Sequence, residues 1–200
     1  MSKGSRPVLG PVFEMPIEIE GKMKVPDLRP LRQKLAAGGG RRAGSVLEIN
    51  CFFDTRDAEL RKADKGLRIR LVRHPSGKRT CLLTFKGPMR PGRLKRREET
   101  QFAVDDAKTA RRLLENLGYR PTLSFEKRRE SWLFRNCHVE LDKLPYLGTF
   151  VEIEGNSAKQ VMAARKALGL AQLPLIRTSY IAMLAGYLKQ HRLRSRHVRL

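Results

Sequence analysis

Residues 17–22 read Ile-Glu-Ile-Glu-Gly-Lys, and in them charged side chains alternate with smaller or apolar ones. Successive side chains of a β-strand point to opposite faces, so this alternation predicts a strand with one charged face. We predict that the strand runs from Phe13 to Lys24, with Glu18, Glu20 and Lys22 on the charged face. That face points either to water or into the interior of a barrel.

Similar alternation or turn-bounded apolar runs continue along the chain. Further strands are predicted near residues 46–54, 67–71, 79–86, 94–104, 121–134, 137–142 and 149–155. Helices are predicted near residues 26–37, 57–63, 106–117, 157–168 and 178–190. About eight strands, several joined by hairpins, favour an α+β fold in which an eight-stranded antiparallel β-barrel carries helices packed on its outside.

The predicted domain organisation is simple. Residues 1–12 are interrupted by glycine and proline and are predicted to be a flexible leader. Residues 13–190 are predicted to form a single domain. Residues 191–200 are rich in arginine and are predicted to be a basic, solvated C-terminal tail.

The charged faces of the predicted strands are sorted by sign. An ordinary solvated sheet would explain any one of them, but it does not explain acidic strands at both ends of the domain with basic strands between. Clustered carboxylates repel one another unless a cation lies between them, and Mg²⁺ and Mn²⁺ prefer hard oxygen ligands. Arginine and lysine neutralise phosphate oxygens. The sequence therefore predicts a metal site formed by Glu18, Glu20, Glu152 and Glu154 with Asp142, next to basic side chains that bind a triphosphate.

The motifs also resemble those of the CYTH superfamily, the triphosphate tunnel enzymes named for class IV adenylyl cyclase and thiamine triphosphatase. The likeness covers about residues 14–187 and is closest to the bacterial cyclase-type branch. It rests on segments in the same order: Glu18–Lys22, Phe52–Thr55, Leu67–Arg70, Lys86–Pro88, Arg97–Glu99, Glu126–Arg129, Asp142 and Leu147–Glu154. Gly21 departs from the pattern, because many members carry a bulkier or basic residue there.

The resemblance implies a function for each charged position. It implies that the same five carboxylates hold Mg²⁺ or Mn²⁺ and that Glu18, Glu20 and Lys22 are catalytic, with no separate general base assigned. It implies that the triphosphate is bound by Lys22, Arg68, Arg70, Lys86, Arg97, Lys127 and Arg129. Lys95 and Glu140 share the same strand faces and receive no function.

Two reactions are compatible with these residues. In a triphosphatase, water attacks a phosphoanhydride of inorganic triphosphate, ATP or thiamine triphosphate. In a class IV adenylyl cyclase, the ribose 3′-hydroxyl of ATP attacks the α-phosphate and pyrophosphate leaves. We expect hydrolysis and keep cyclisation as the alternative, since cyclisation also needs a particular pose of the nucleotide.

Non-catalytic alternatives follow from the formal net charge of +22. Such a charge favours polyanionic partners, so a polyphosphate-binding or nucleic-acid-binding module is the alternative of another class. Aromatic residues make up only 6% of the chain and no known nucleic-acid recognition motif is present, which argues against nucleic acid. Three distant cysteines and no apolar run of about 18 residues predict a cytoplasmic protein with reduced thiols and no membrane span. The sequence leaves the oligomeric state open.

Overall fold

The computed structural model describes residues 17–200, which form nine β-strands and five α-helices. The leader predicted for residues 1–12 and the predicted start of the first strand at Phe13 lie outside the described residues. The strands are β1 Ile17–Val25, β2 Arg41–Asp54, β3 Gly66–Arg73, β4 Arg79–Lys86, β5 Lys95–Val104, β6 Arg120–Phe134, β7 Cys137–Leu144, β8 Gly148–Glu154 and β9 His197–Val198. The helices are α1 Arg29–Ala37, α2 Glu59–Lys62, α3 Ala107–Asn116, α4 Ala158–Ala167 and α5 Tyr180–Gln190.

Strands β1–β8 form a closed antiparallel barrel. Their order around it is β2-β3-β4-β5-β1-β8-β7-β6, and pairing of β6 with β2 closes the ring. The predicted eight-stranded barrel is therefore confirmed. The closing pair is also the longest, running from Arg41 opposite Leu133 to Asp54 opposite Arg120.

The barrel carries its charged faces inside and its apolar faces outside. The outer side chains of β1, β7 and β8 pack beneath α1 and α4, where Leu35, Val161 and Leu168 are fully buried. Helix α3 covers β3 and β4 through Leu114. Within residues 17–200, no helix is long and apolar enough to cross a membrane. The helices thus supply the cover that the apolar faces of the strands require.

Helix α5 is placed differently from the other helices. Leu184 and Leu188 pack against Phe125 and Phe150, which lie on the interior faces of β6 and β8. The Phe150 and Tyr180 rings meet edge to face with centroids 5.2 Å apart. An apolar cluster therefore fills the barrel interior at the end where β6 and β8 begin.

The structure corrects the start of one predicted strand. Strand β2 begins at Arg41 and not near residue 46, because the glycine-rich stretch continues into the strand through a register shift between Arg42 and Gly44. Residues 191–200 are exposed apart from Val198, and they contain the short strand β9, which pairs in parallel with Ser124 and Phe125. Val198 is only 2% exposed and packs in the α5 cluster, so apolar burial holds this segment against the barrel.

Gly21 lies on the outer face of β1 directly beneath α4. A Cβ atom added there would lie 3.2 Å from both Leu94 Cδ2 and Val161 Cγ1. The missing side chain therefore permits the close approach of α4 to the barrel, and it leaves the interior face of β1 untouched.

We predict that Gly21→Val lowers the free energy of unfolding by about 1–3 kcal/mol, because the added methyl groups overpack this contact. Gly186→Ala is the matched control: Gly186 is exposed within α5 with no atom within 4 Å of an added Cβ. It should stabilise the protein by roughly 0.5–1 kcal/mol, since alanine is the better helix former. Urea denaturation of both variants is the measurement, and an unchanged midpoint for Gly21→Val would contradict the close-packing account.

Candidate functional site

The barrel encloses a cavity of about 680 Å³. Its wall contains all but one of the twelve side chains predicted as metal or triphosphate ligands, and the exception is Asp142. The eleven that line it are Glu18, Glu20, Lys22, Arg68, Arg70, Lys86, Arg97, Lys127, Arg129, Glu152 and Glu154. Because these residues come from six strands, only closure of the barrel brings them together.

Four carboxylates, those of Glu18, Glu20, Glu152 and Glu154, form what we call the acidic bank. The antiparallel register of β1 and β8 places Glu20 opposite Glu154 and Lys22 opposite Glu152. Burial and the nearby Glu152 carboxylate raise the pKa of Glu20. Burial together with Glu18 and Glu20 raises the pKa of Glu154 to about 7. Two of the four carboxylates are therefore short of compensating positive charge.

Two lysines lie against the acidic bank. Lys86 Nζ is 2.6 Å from Glu18 Oε2 and 2.5 Å from a Glu99 oxygen, and Lys95 Nζ is 3.2 Å from Glu20 Oε2. Burial opposes ionisation of Glu18, but Lys86 and Lys95 outweigh it and lower its pKa to about 2. With the side chains so placed, no three acidic, histidine or cysteine groups in residues 17–200 stand close enough to bind one metal ion. The oxygen donors and their mutual repulsion nevertheless fit a hard divalent cation.

A basic group surrounds Glu48, which is buried on β2 behind the cavity wall. Glu48 is 3% exposed, and its oxygens lie 3.3 Å from Arg70 Nη1, 3.3 Å from Lys127 Nζ and 4.0 Å from Arg129 Nε. Burial would raise the pKa of Glu48, but Lys127, Arg129 and Arg70 hold it well below its ordinary value. Glu48 was not among the residues predicted from the sequence. Glu48 lies on the same face of β2 as Asn50 and Asp54, and this run of alternate polar residues could have predicted an interior position for it.

Asp142 is placed differently from the other predicted metal ligands. Its carboxylate is fully buried and accepts hydrogen bonds from Lys127 Nζ at 3.1 Å and from Arg129 Nε at 2.8 Å. The Tyr180 hydroxyl also donates a hydrogen bond to this carboxylate, at 3.1 Å. Asp142 faces Arg129 across the β6–β7 pair and is walled off from the cavity by these partners. Its carboxylate holds the Lys127 and Arg129 side chains by hydrogen bonds.

Tyr180, at the start of α5, is a further residue that the sequence analysis missed. Lys22 Nζ lies 4.3 Å and Lys127 Nζ 5.3 Å from the centroid of its ring. Burial and the Asp142 carboxylate raise the pKa of Tyr180 well above its ordinary value, so the phenol remains a hydrogen-bond donor. Tyr180 comes from a helix that enters the barrel end, so no strand pattern marks it.

Several donors on the cavity wall lack an acceptor. Among the described residues, Lys22 Nζ, Asn50 Nδ2, Arg68 Nε and Arg97 Nε are buried without a hydrogen-bond partner. Arg68 reaches only neutral acceptors, Asn50 Oδ1 at 3.3 Å and Thr84 Oγ1 at 3.4 Å. Burial and the adjacent Arg70 lower the pKa of Arg68 to about 9. Unpaired donors of this kind are costly to bury, so the cavity is built for an anionic ligand that supplies acceptors.

Two curated relatives are similar over most of the chain. A Methanocaldococcus jannaschii protein provisionally assigned as an adenylate cyclase is 26% identical over 176 residues, covering 84% of this chain and 98% of the relative. The adenylate cyclase CyaB of Aeromonas hydrophila is 32% identical over 145 residues, covering 70% of each protein.

The fold also matches a solved structure, and a family model matches the sequence. A provisionally assigned adenylyl cyclase from Hippeastrum, described as having a dominant triphosphatase activity, superposes with a TM-score of 0.64 at 18% identity, over 86% of this chain and 95% of that one. The model of the CYTH domain matches residues 16–177. The match spans all eight strands of the barrel and the whole acidic bank, and this chain therefore belongs to the CYTH domain family.

Proposed function

We propose that this protein is a divalent-metal-dependent triphosphatase that binds its substrate in the barrel cavity. The observation that carries the proposal is the set of buried N–H donors without acceptors, which faces the same cavity as the acidic bank. A triphosphate supplies acceptors for the donors, and a cation held with it relieves the repulsion among the carboxylates.

The basic residues that would bind the triphosphate fall into two groups. Arg68 and Arg97 have free Nε–H groups, and Lys22 has no hydrogen-bond acceptor although Glu152 Oε1 lies 3.7 Å away. Arg70, Lys86, Lys127 and Arg129 are held by acidic side chains and are thereby positioned before the substrate arrives. A preorganised set of positive charges stabilises the charge that develops on the transferred phosphoryl group.

The acidic bank would hold Mg²⁺ or Mn²⁺ through Glu18, Glu20, Glu152 and Glu154. When bound, such a cation neutralises phosphate charge and lowers the pKa of a coordinated water. Asp142 would act through Lys127 and Arg129, whose ammonium and guanidinium groups it fixes by hydrogen bonds. The chain's own contribution is therefore to orient the triphosphate and to keep its oxygens away from bulk water.

Hydrolysis is favoured over cyclisation because it requires only water as the attacking group. The activity stated for the Hippeastrum structure points the same way. The second candidate, conversion of ATP to cyclic AMP and pyrophosphate, is favoured by the name of the Aeromonas relative. Both reactions use the same acidic and basic side chains, so the products decide between them.

Product analysis by ³¹P NMR tests the proposal directly. With Mg²⁺ or Mn²⁺ and either ATP or inorganic triphosphate, we expect release of orthophosphate. Cyclic AMP together with pyrophosphate would instead establish the cyclase. If neither substrate turned over and Glu20→Gln left triphosphate binding unchanged, the protein would be a non-catalytic binding module.

Arg68→Gln should weaken triphosphate binding by roughly 10- to 100-fold, the usual loss for a hydrogen bond to a charged group. Arg68 has only neutral hydrogen-bond partners, so its removal leaves no carboxylate of an ion pair uncompensated. Arg73→Gln is the matched control, because Arg73 lies on the same strand with its side chain exposed. Calorimetric titration with inorganic triphosphate measures both, and equal losses in the two variants would show a general charge effect.

Glu154→Gln should abolish most of the rise in thermal midpoint that Mn²⁺ causes in the unaltered protein. Without metal, the variant should unfold at the same or a higher temperature, because the amide removes repulsion from Glu18 and Glu20. Glu98→Gln is the control, since Glu98 pairs with exposed Arg90 away from the cavity. A full Mn²⁺ response in Glu154→Gln would remove Glu154 from the set of metal ligands.

A further inference from the structure

Lys95 is a buried cation to which the proposed function gives no role. It lies on the interior face of β5, opposite Glu20 of β1, and its side chain is 9% exposed. Its Nζ atom lies 3.2 Å and 3.5 Å from the two oxygens of Glu20. An ammonium group therefore lies against both oxygens of a carboxylate assigned to the metal.

The surroundings of Lys95 are acidic. Burial alone would lower its pKa, but Glu20, Glu152 and Glu18 outweigh burial and raise it. Lys95 is thus charged in the folded protein and interacts with three of the four carboxylates in the acidic bank. Lys86 differs, because it is shared between Glu18 and Glu99 and its side chain is 19% exposed.

Glu20 lacks sufficient positive charge even with Lys95 present. Burial and the Glu152 carboxylate keep the pKa of Glu20 above its ordinary value. Buried carboxylates brought together by strand register would destabilise the barrel if no cation accompanied them. Lys95 is the cation that the chain itself supplies at this position.

We propose that Lys95 is a resident counter-cation of the acidic bank, which holds the carboxylates together without metal and competes with the metal for Glu20. The inference rests on the proposed function, because it assumes that the bank binds a divalent cation. A cation that enters must displace the Lys95 ammonium from Glu20 or share that carboxylate with it. Lys95 therefore weakens metal binding while it stabilises the metal-free barrel.

The inference predicts opposite effects of one substitution on two measurable quantities. Lys95→Gln should lower the thermal midpoint of the metal-free protein, because the carboxylates lose their counter-cation. The same variant should bind Mn²⁺ on the order of tenfold more tightly, because one positive charge no longer competes for Glu20. A purely structural lysine would lower the midpoint and leave Mn²⁺ affinity unchanged.

The experiment is a titration of the full chain with Mn²⁺ alone, with free Mn²⁺ followed by electron paramagnetic resonance, alongside thermal unfolding with and without Mn²⁺. Lys95→Arg keeps the charge and should retain weak Mn²⁺ binding. Arg93→Gln removes one exposed positive charge two residues away and should match the unaltered protein in both measurements.

Each outcome decides the matter. Tighter Mn²⁺ binding by Lys95→Gln but not by Arg93→Gln supports the inference, and equal or weaker binding by Lys95→Gln overturns it. If Lys95→Gln unfolds without metal, recovery of the fold in Mn²⁺ supports the inference and persistent unfolding contradicts it. If neither the unaltered protein nor any variant binds Mn²⁺, the metal site in the proposed function itself is wrong.

Discussion

The structure depends on pairing charged side chains that the barrel removes from water. A buried ion without a partner costs several kcal/mol. The register of neighbouring strands must therefore bring side chains of opposite charge together on the interior face. Arg129 illustrates the constraint: its guanidinium binds Asp142 at 2.7 Å and Glu152 at 2.5 Å, and Glu48 lies 4.0 Å away. A slip of one residue in any of these strands would turn the partners to the outer face.

The outer face follows from this arrangement. Because the charged side chains lie on the interior faces of the strands, the alternate residues are free to be apolar, and α1, α3 and α4 cover them. Gly21 marks the place where α4 comes closest to the barrel. The inner face of a strand is thus constrained by electrostatics, and its outer face is constrained by packing against the helices.

Most of the residues that give the net charge of +22 lie outside the cavity. The cavity wall carries eleven basic and seven acidic side chains, an excess of four. Glu48 and Asp142, buried behind the wall against basic side chains, reduce that excess further. The outer surface and the remaining loops therefore carry most of the positive charge, and the charge of the whole chain is weak evidence for triphosphate binding. The sorting of sign within the barrel is the stronger evidence.

Much of the fold followed from alternation in the sequence, because a period of two fixes both the strand and the face. It placed Lys22 on the charged face of its strand, and it placed β4 at residues 79–86 as observed. It did not reveal Tyr180, which reaches the interior from a helix, nor the burial of Val198, which depends on a parallel contact far along the chain. Asp142 lies on the same strand face as the predicted metal ligands. Which neighbour donates hydrogen bonds to its carboxylate depends on three-dimensional packing and could not be predicted from that face.

The charged side chains of the barrel interior already form ion pairs with one another, and these pairs determine how the interior can bind a ligand. Glu18 is paired with Lys86 and Glu20 with Lys95, so a triphosphate alone would take lysines from carboxylates and leave buried negative charge. A divalent cation alone would take carboxylates from lysines and leave buried positive charge. A cation and a triphosphate together would exchange partners with these pairs, because the cation would take the carboxylates and the phosphates would take the basic groups. Fewer buried charges would then lose their partners than on binding of either one alone, and this is an argument for joint binding of metal and triphosphate.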